Sequence, residues 1–117
     1  MSITRPGWTY GLAIDRPWKM EDGAKRMTLS FEEGVIVENA FRPLVFKNDE
    51  YAQGHSQEFD FVVPANSRKV TVYLFASEIR CPRFVYQEDR VTLQEGIYPI
   101  KRFDIILAAP STFSRLP

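Results

Sequence analysis

The amino-acid sequence predicts an all-β fold, an antiparallel β-sandwich with little or no helix, and three observations predict it. Short runs rich in Val, Ile, Phe and Tyr recur along the chain, punctuated by eight prolines and six glycines. Within residues 57–63, Phe59, Phe61 and Val63 alternate with Glu58 and Asp60, the period of two that a strand with one wet and one dry face requires. Nowhere do apolar positions hold helical spacing over about a dozen residues behind a capping signal.

Taken in order, the runs place strands at residues 8–14, 28–31, 35–37, 41–47, 57–63, 69–77, 83–86 and 98–107. Residues 21–26, Glu-Asp-Gly-Ala-Lys-Arg, are a polar excursion between the first two and read as a mobile loop. Pro43 and Pro99 cannot donate to a ladder, so their strands are expected at an edge or with a bulge at that point. Residues 57–63 and 69–77 read as the two arms of a hairpin, because Pro64-Ala65-Asn66-Ser67 between them favours a turn. In the second arm Val70, Val72, Leu74 and Ala76 make one apolar face, while Tyr73 and Phe75 make the other apolar as well. That strand is therefore expected in mid-sheet with cover on both sides.

Composition limits the function classes. A chain of 117 residues is expected to form one domain, residues 1–117, burying roughly 65% of its unfolded surface. With 15 basic and 15 acidic side chains there is no net field to attract nucleic acid or an anionic membrane, so neither is expected as a partner. The single cysteine, Cys81, excludes an internal disulfide, and the first thirty residues lack the apolar segment of a secretion signal. Both point to a cytoplasmic protein. The longest apolar runs, residues 70–76 and 105–109, fall far short of the roughly 20 residues that span a bilayer as a helix.

The chemistry-bearing residues are sparse. Gly7, Gly11, Gly23, Gly34, Gly54 and Gly96 are scattered and none opens a helix, which argues against a phosphate loop. One His and one Cys do not make a conventional zinc site. His55, beside Gly54, reads as a loop residue, and Cys81, before Pro82, as a small buried or half-buried side chain. Glu32-Glu33, Asp49-Glu50 and Glu88-Asp89 are adjacent pairs, and neighbours on a strand point to opposite faces, so solvated loops explain them better than a shared acid/base site. Asp104, between Phe103 and Ile105, reads as the outward face of an edge strand. Most of the nine Phe, five Tyr and two Trp read as core filling. No enzyme, cofactor or metal is expected.

Two stretches carry a family resemblance: Thr9-Tyr10-Gly11-Leu12-Ala13-Ile14, and the segment from Ser56-Gln57-Glu58-Phe59 through the hairpin to Glu78. They resemble the β-sandwich substrate-binding domain of the 70-kDa heat-shock chaperones, and in particular its divergent, atypical members. The likeness covers residues 10–78. It implies a groove that holds an extended apolar peptide by backbone hydrogen bonds and one apolar pocket. Carried over by position, Leu12, Phe59, Val70 and Val72 line that pocket, Ile14 lies near its rim, and Val62 lies close to the loop arching over the peptide. The sequence departs from the family at residues 15–26, a charged insertion where the orthodox members have the short turn of the arch. The helical lid and the actin-like ATPase domain of the full-length chaperones are missing too, so an excised or truncated substrate-binding domain is expected. The resulting expectation is a peptide- or protein-binding module for extended apolar segments, with a homodimer through open sheet edges. The alternative is a non-catalytic structural or assembly module that pairs through those edges.

Overall fold

The computed structural model describes residues 3–58 and 67–107. The fold is mostly β, with two antiparallel sheets in a sandwich-like arrangement and, among the described residues, no helix of seven or more residues. In chain order the strands are β1 (Ile3–Thr4), β2 (Thr9–Pro17), β3 (Thr28–Ser30), β4 (Gly34–Val45), β5 (Tyr51–Ala52), β6 (Lys69–Ser77) and β7 (Ile97–Ile106). β1 and β5 form a small ribbon, and the main sheet has the order β3-β4-β2-β6-β7. Among the described residues no helix is long and apolar enough to cross a membrane.

β6 has the bounds its alternation predicts, and it lies in mid-sheet between β2 and β7. The two runs expected at 35–37 and 41–47 are instead one strand, β4. Residues 38–40, left between the two expected runs, belong to the strand, and Glu38-Asn39 forms a bulge in it. Ile14 pairs with Ala40 and Arg16 with Val37, so two residues of β4 oppose Asp15 alone. Asn39 takes the left-handed conformation, φ 53°, which asparagine tolerates better than most residues, and its N–H donates to the Asp15 carboxylate at 3.1 Å. Both prolines sit as expected at irregularities: the β2–β4 register shifts between the Tyr10–Val45 and Gly11–Pro43 pairs, and the β6–β7 register shifts between Leu74–Lys101 and Phe75–Pro99.

The main core cluster lies on one face of the main sheet. Phe41 and Phe75 project from it, Ile97 closes the end of β7, and Val85 packs down from the connection 78–96, with Ala13, Tyr86 and Leu93 around them. That connection makes no strand of its own, although a strand was expected at 83–86. It is bound to the outer edge of β4 by the Phe41 N–H to the Arg83 carbonyl and by the Val85 N–H to the Asn39 carbonyl, both 3.0 Å. Isolated bridges Ala40–Phe84 and Tyr86–Leu93 complete it. Gly11 is required by this packing: a Cβ there would meet the Phe41 ring at 2.5 Å and the Arg42 carbonyl oxygen at 2.6 Å.

Four expectations are corrected. Residues 21–26 do not form a free loop: Met20–Asp22 and Ala24–Arg26 are 3₁₀ turns that bury Asp22 and Arg26. The Asp22 carboxylate accepts two hydrogen bonds from Arg16 at 2.8 and 2.7 Å, one from Arg83 at 2.7 Å and one from the Lys19 backbone N–H at 2.8 Å. Arg26 donates to the Tyr86 and Gln87 carbonyls and stacks 4.0 Å over the Phe84 ring. Cys81 is exposed, not buried, because it lies in the connection rather than in a strand. β6 is covered on both faces only at its Phe75–Ser77 end, and Tyr73 is exposed. Core filling also fails for Phe31, Tyr98 and Phe103, all exposed. Most of the hairpin arm expected at 57–63, and the turn up to residue 66, lie outside the described residues.

Candidate protein-interaction site

Among the strands of the main sheet, the longest unbroken run of exposed residues lies on β7. Ile97 is the only buried residue of β7, and from Tyr98 onward the strand is exposed throughout. Beside it, Lys69–Tyr73 of β6 projects beyond the part paired with β2, since β2 meets β6 only from Thr9–Ser77 to Leu12–Leu74. The two strands continue together as a ribbon from the Leu74–Lys101 pair to Lys69–Ile106.

Hydrogen bonding fixes which backbone groups face outward. The Leu107 N–H donates to the Arg68 carbonyl at 2.7 Å. Backbone groups alternate sides along a strand, so Ile105, Phe103 and Lys101 face β6, while Arg102, Asp104 and Ile106 direct their N–H and C=O to the outer edge. No described strand pairs with that edge. Register sorts the side chains in the same way. Phe103 and Ile105 stand opposite Val72 and Val70 on one face, and Arg102 and Asp104 stand opposite Tyr73 and Thr71 on the other.

The apolar face of the ribbon is open to water: Phe103 and Ile105 are each 40% exposed, with Val70 and Val72 half-buried beside them. On the polar face, Asp104 accepts hydrogen bonds from the Thr71 hydroxyl at 2.9 Å and from Arg102 at 3.2 Å. The Thr71 bond first, and then the guanidinium, hold the Asp104 carboxyl below its ordinary value, so it is a stable negative charge at neutral pH. As the alternation predicts, Asp104 lies outward on an edge strand. At the bulge a cavity of about 190 Å³ opens between Tyr73, Phe75, Pro99, Ile100 and Arg102.

The residues assigned to a peptide groove divide between different surroundings. Leu12 is 4% exposed and faces Leu74 in the middle of the sheet. Val70 and Val72 share its face but lie further out on the ribbon, half-buried. Ile14 is half-buried on β2 and pairs with Ala40, beyond the part of β2 that meets β6. Phe59 and Val62 lie outside the described residues. Phe103 and Ile105, which the register sets beside Val70 and Val72, were missed as site residues. Their alternation with Arg102 and Asp104 is the signal that could have found them.

The buried ionic cluster is architectural. Asp22 is held ionised, well below the usual carboxylate range, first by the Arg16 hydrogen bonds and against the effect of its own burial. Each of its oxygens is engaged by protein donors, which leaves it no role as a proton donor. No group of three or more His, Cys, Asp and Glu among the described residues could hold a metal ion. Compared with known proteins, the chain matches no family model, no curated protein and no solved structure. The chaperone resemblance therefore rests on the strand residues quoted for it.

Proposed function

We propose that this chain is a protein-interaction module that takes up an extended polypeptide segment as an additional strand along the outer edge of β7. The observation that carries this reading is the coincidence, on one strand, of outward backbone groups at Arg102, Asp104 and Ile106 with exposed apolar side chains at Phe103 and Ile105. An added strand satisfies the backbone groups without reading sequence, and alternate apolar residues of the segment cover Phe103, Ile105 and the half-buried Val70 and Val72. Burial of such surface contributes on the order of 25 cal/mol per Å². Binding of extended apolar segments is also what the resemblance to the chaperone substrate-binding domain implies, with the contact moved from a central pocket to the rim of the sheet.

The test uses the direction of the backbone. Asp104→Pro removes an outward donor and spares the inward bonds to β6, so the fold is expected to survive. A fluorescein-labelled heptapeptide alternating valine and serine is expected to bind the native protein and to lose at least tenfold in affinity for the variant. Equal affinity for both, with circular dichroism unchanged, overturns the reading.

A further inference from the structure

The charges on the edge of β7 are arranged to select one partner strand. Arg102 and Asp104 are the neighbouring outward residues on one face, already joined to each other at 3.2 Å. A second β7 laid antiparallel against the first can place its two-fold axis at several positions. On Asp104 the axis sets carboxylate against carboxylate, and on Arg102 guanidinium against guanidinium. Directly opposed like charges destabilise a strand pair. On Phe103 the axis sets Arg102 of each chain opposite Asp104 of the other, so four charges alternate in sign around a square.

Backbone direction agrees with that choice. Arg102 and Asp104 both point outward, so they meet as hydrogen-bonded pairs, and Phe103 meets Phe103 of the second copy as the intervening non-hydrogen-bonded pair, where side chains approach most closely. On the opposite face of the ribbon this places the two exposed rings together, each already carrying its own Lys101 ammonium 5.0 Å from the ring centre. Ile106, 71% exposed, comes across from Ile100, 52% exposed. We propose that the segment captured by β7 is β7 of a second copy, in a two-fold antiparallel pair centred on Phe103. This rests on the strand-capture reading and names its partner. An isologous contact of this kind closes on itself and leaves the β7 edge covered in both chains.

The test uses charge exchange. Arg102→Glu and Asp104→Arg, each alone, oppose like charges across the axis and are expected to weaken self-association at least tenfold in sedimentation velocity. Mixed in equal amounts, the two variants are complementary. The carboxylate introduced by Arg102→Glu meets the guanidinium introduced by Asp104→Arg, and the Asp104 retained by the first chain meets the Arg102 retained by the second. A heterodimer of native affinity is therefore expected to form. Both variants alter the pairing within their own chain in the mixture as in isolation, so recovery on mixing reports the contact between chains. As a second readout, Phe103→Cys in a Cys81→Ser background is expected to form a disulfide-linked dimer on mild oxidation, whereas Ile105→Cys in the same background, set opposite Lys101, does not. A native protein that is monomeric at all concentrations, or a dimer indifferent to the charge variants, overturns the proposal. A monomer that still binds the heptapeptide through β7 overturns self-pairing alone and leaves the strand-capture reading intact. A monomer that binds no peptide removes both.

Discussion

The ladder between β6 and β7 runs through nine residue pairs, and its two ends live in opposite surroundings. At the Ser77–Ile97 end both residues are buried, β2 lies on the far side of β6, and the connection 78–96 lays Val85 and Tyr86 over Phe75. At the Lys69–Ile106 end β2 has turned away towards β4, and the described connection does not reach. Each end carries a phenylalanine, Phe75 or Phe103, but the charged residues Lys69, Lys101, Arg102 and Asp104 all lie at the far one. The two rings stand on opposite faces of the ladder: the connection 78–96 covers Phe75, and among the described residues nothing encloses Phe103, which makes the near end a core and the far end a contact surface. The bulge at Pro99 marks the transition and opens a small cavity there.

Substitutions at the two phenylalanines test the comparison most directly. Phe75→Ala empties a site that is 3% exposed and is expected to cost about 3–5 kcal/mol in urea unfolding. A cost near that of an exposed site removes the distinction between the ends.

The ionic cluster at Asp22 comes next, because it fastens the first 3₁₀ turn and, through Arg83, the connection 78–96 to β2 and so maintains the cover of the near end. Asp22→Asn is expected to cost about 1.5–3 kcal/mol at pH 7. The Asp22 carboxyl titrates in the fold below its ordinary value of 3.8. Folding therefore favours the ionised form, and its contribution is complete above about pH 4 and lost as pH falls below that value. Native and Asp22→Asn unfolding curves are expected to converge in acid. A difference that stays constant down to about pH 2 removes the cluster from the account.

Gly11→Ala is expected to cost about 1–3 kcal/mol, since the new methyl meets the Phe41 ring and a backbone carbonyl that cannot swing aside. A neutral effect in thermal unfolding contradicts the close approach of β2 and β4 at this point. The smallest change is expected at the far end. Phe103→Ala leaves no enclosed cavity in the single chain, and its effect on unfolding of the dilute protein is expected to stay within about 0.5 kcal/mol. A loss of several kcal/mol there, comparable to Phe75→Ala, makes the ribbon a second core rather than a contact surface.

Much of the strand plan was legible because alternation is local. β6 occupies its expected residues, β2 and β7 differ from expectation by a few residues at their ends, and Pro43 and Pro99 lie at the bulges their missing donors require. Misreadings arose where a partner distant in sequence decided the outcome. The runs 35–37 and 41–47 read as separate in sequence, although Glu38-Asn39 between them is a bulge held by Asp15 of β2. Residues 21–26 looked like a solvated excursion, although Asp22 is neutralised by Arg16 nearby and by Arg83, sixty-one residues along the chain. β1 and β5, at two residues each, are too short to show any period. Of the assigned site residues, Val70 and Val72 lie on the surface that the proposed contact uses, and Leu12 is enclosed.

By itself the sequence determined that the chain pleats, where most of its strands run, and where proline interrupts their ladders, since these follow from the spacing and backbone chemistry of neighbouring residues. Only the tertiary structure decided which face of each strand is covered and which buried charges are paired. Cover is supplied by segments far away along the chain, and the register between strands, which no single strand encodes, sets Phe103 beside Val72 and leaves the edge of β7 to be met from outside.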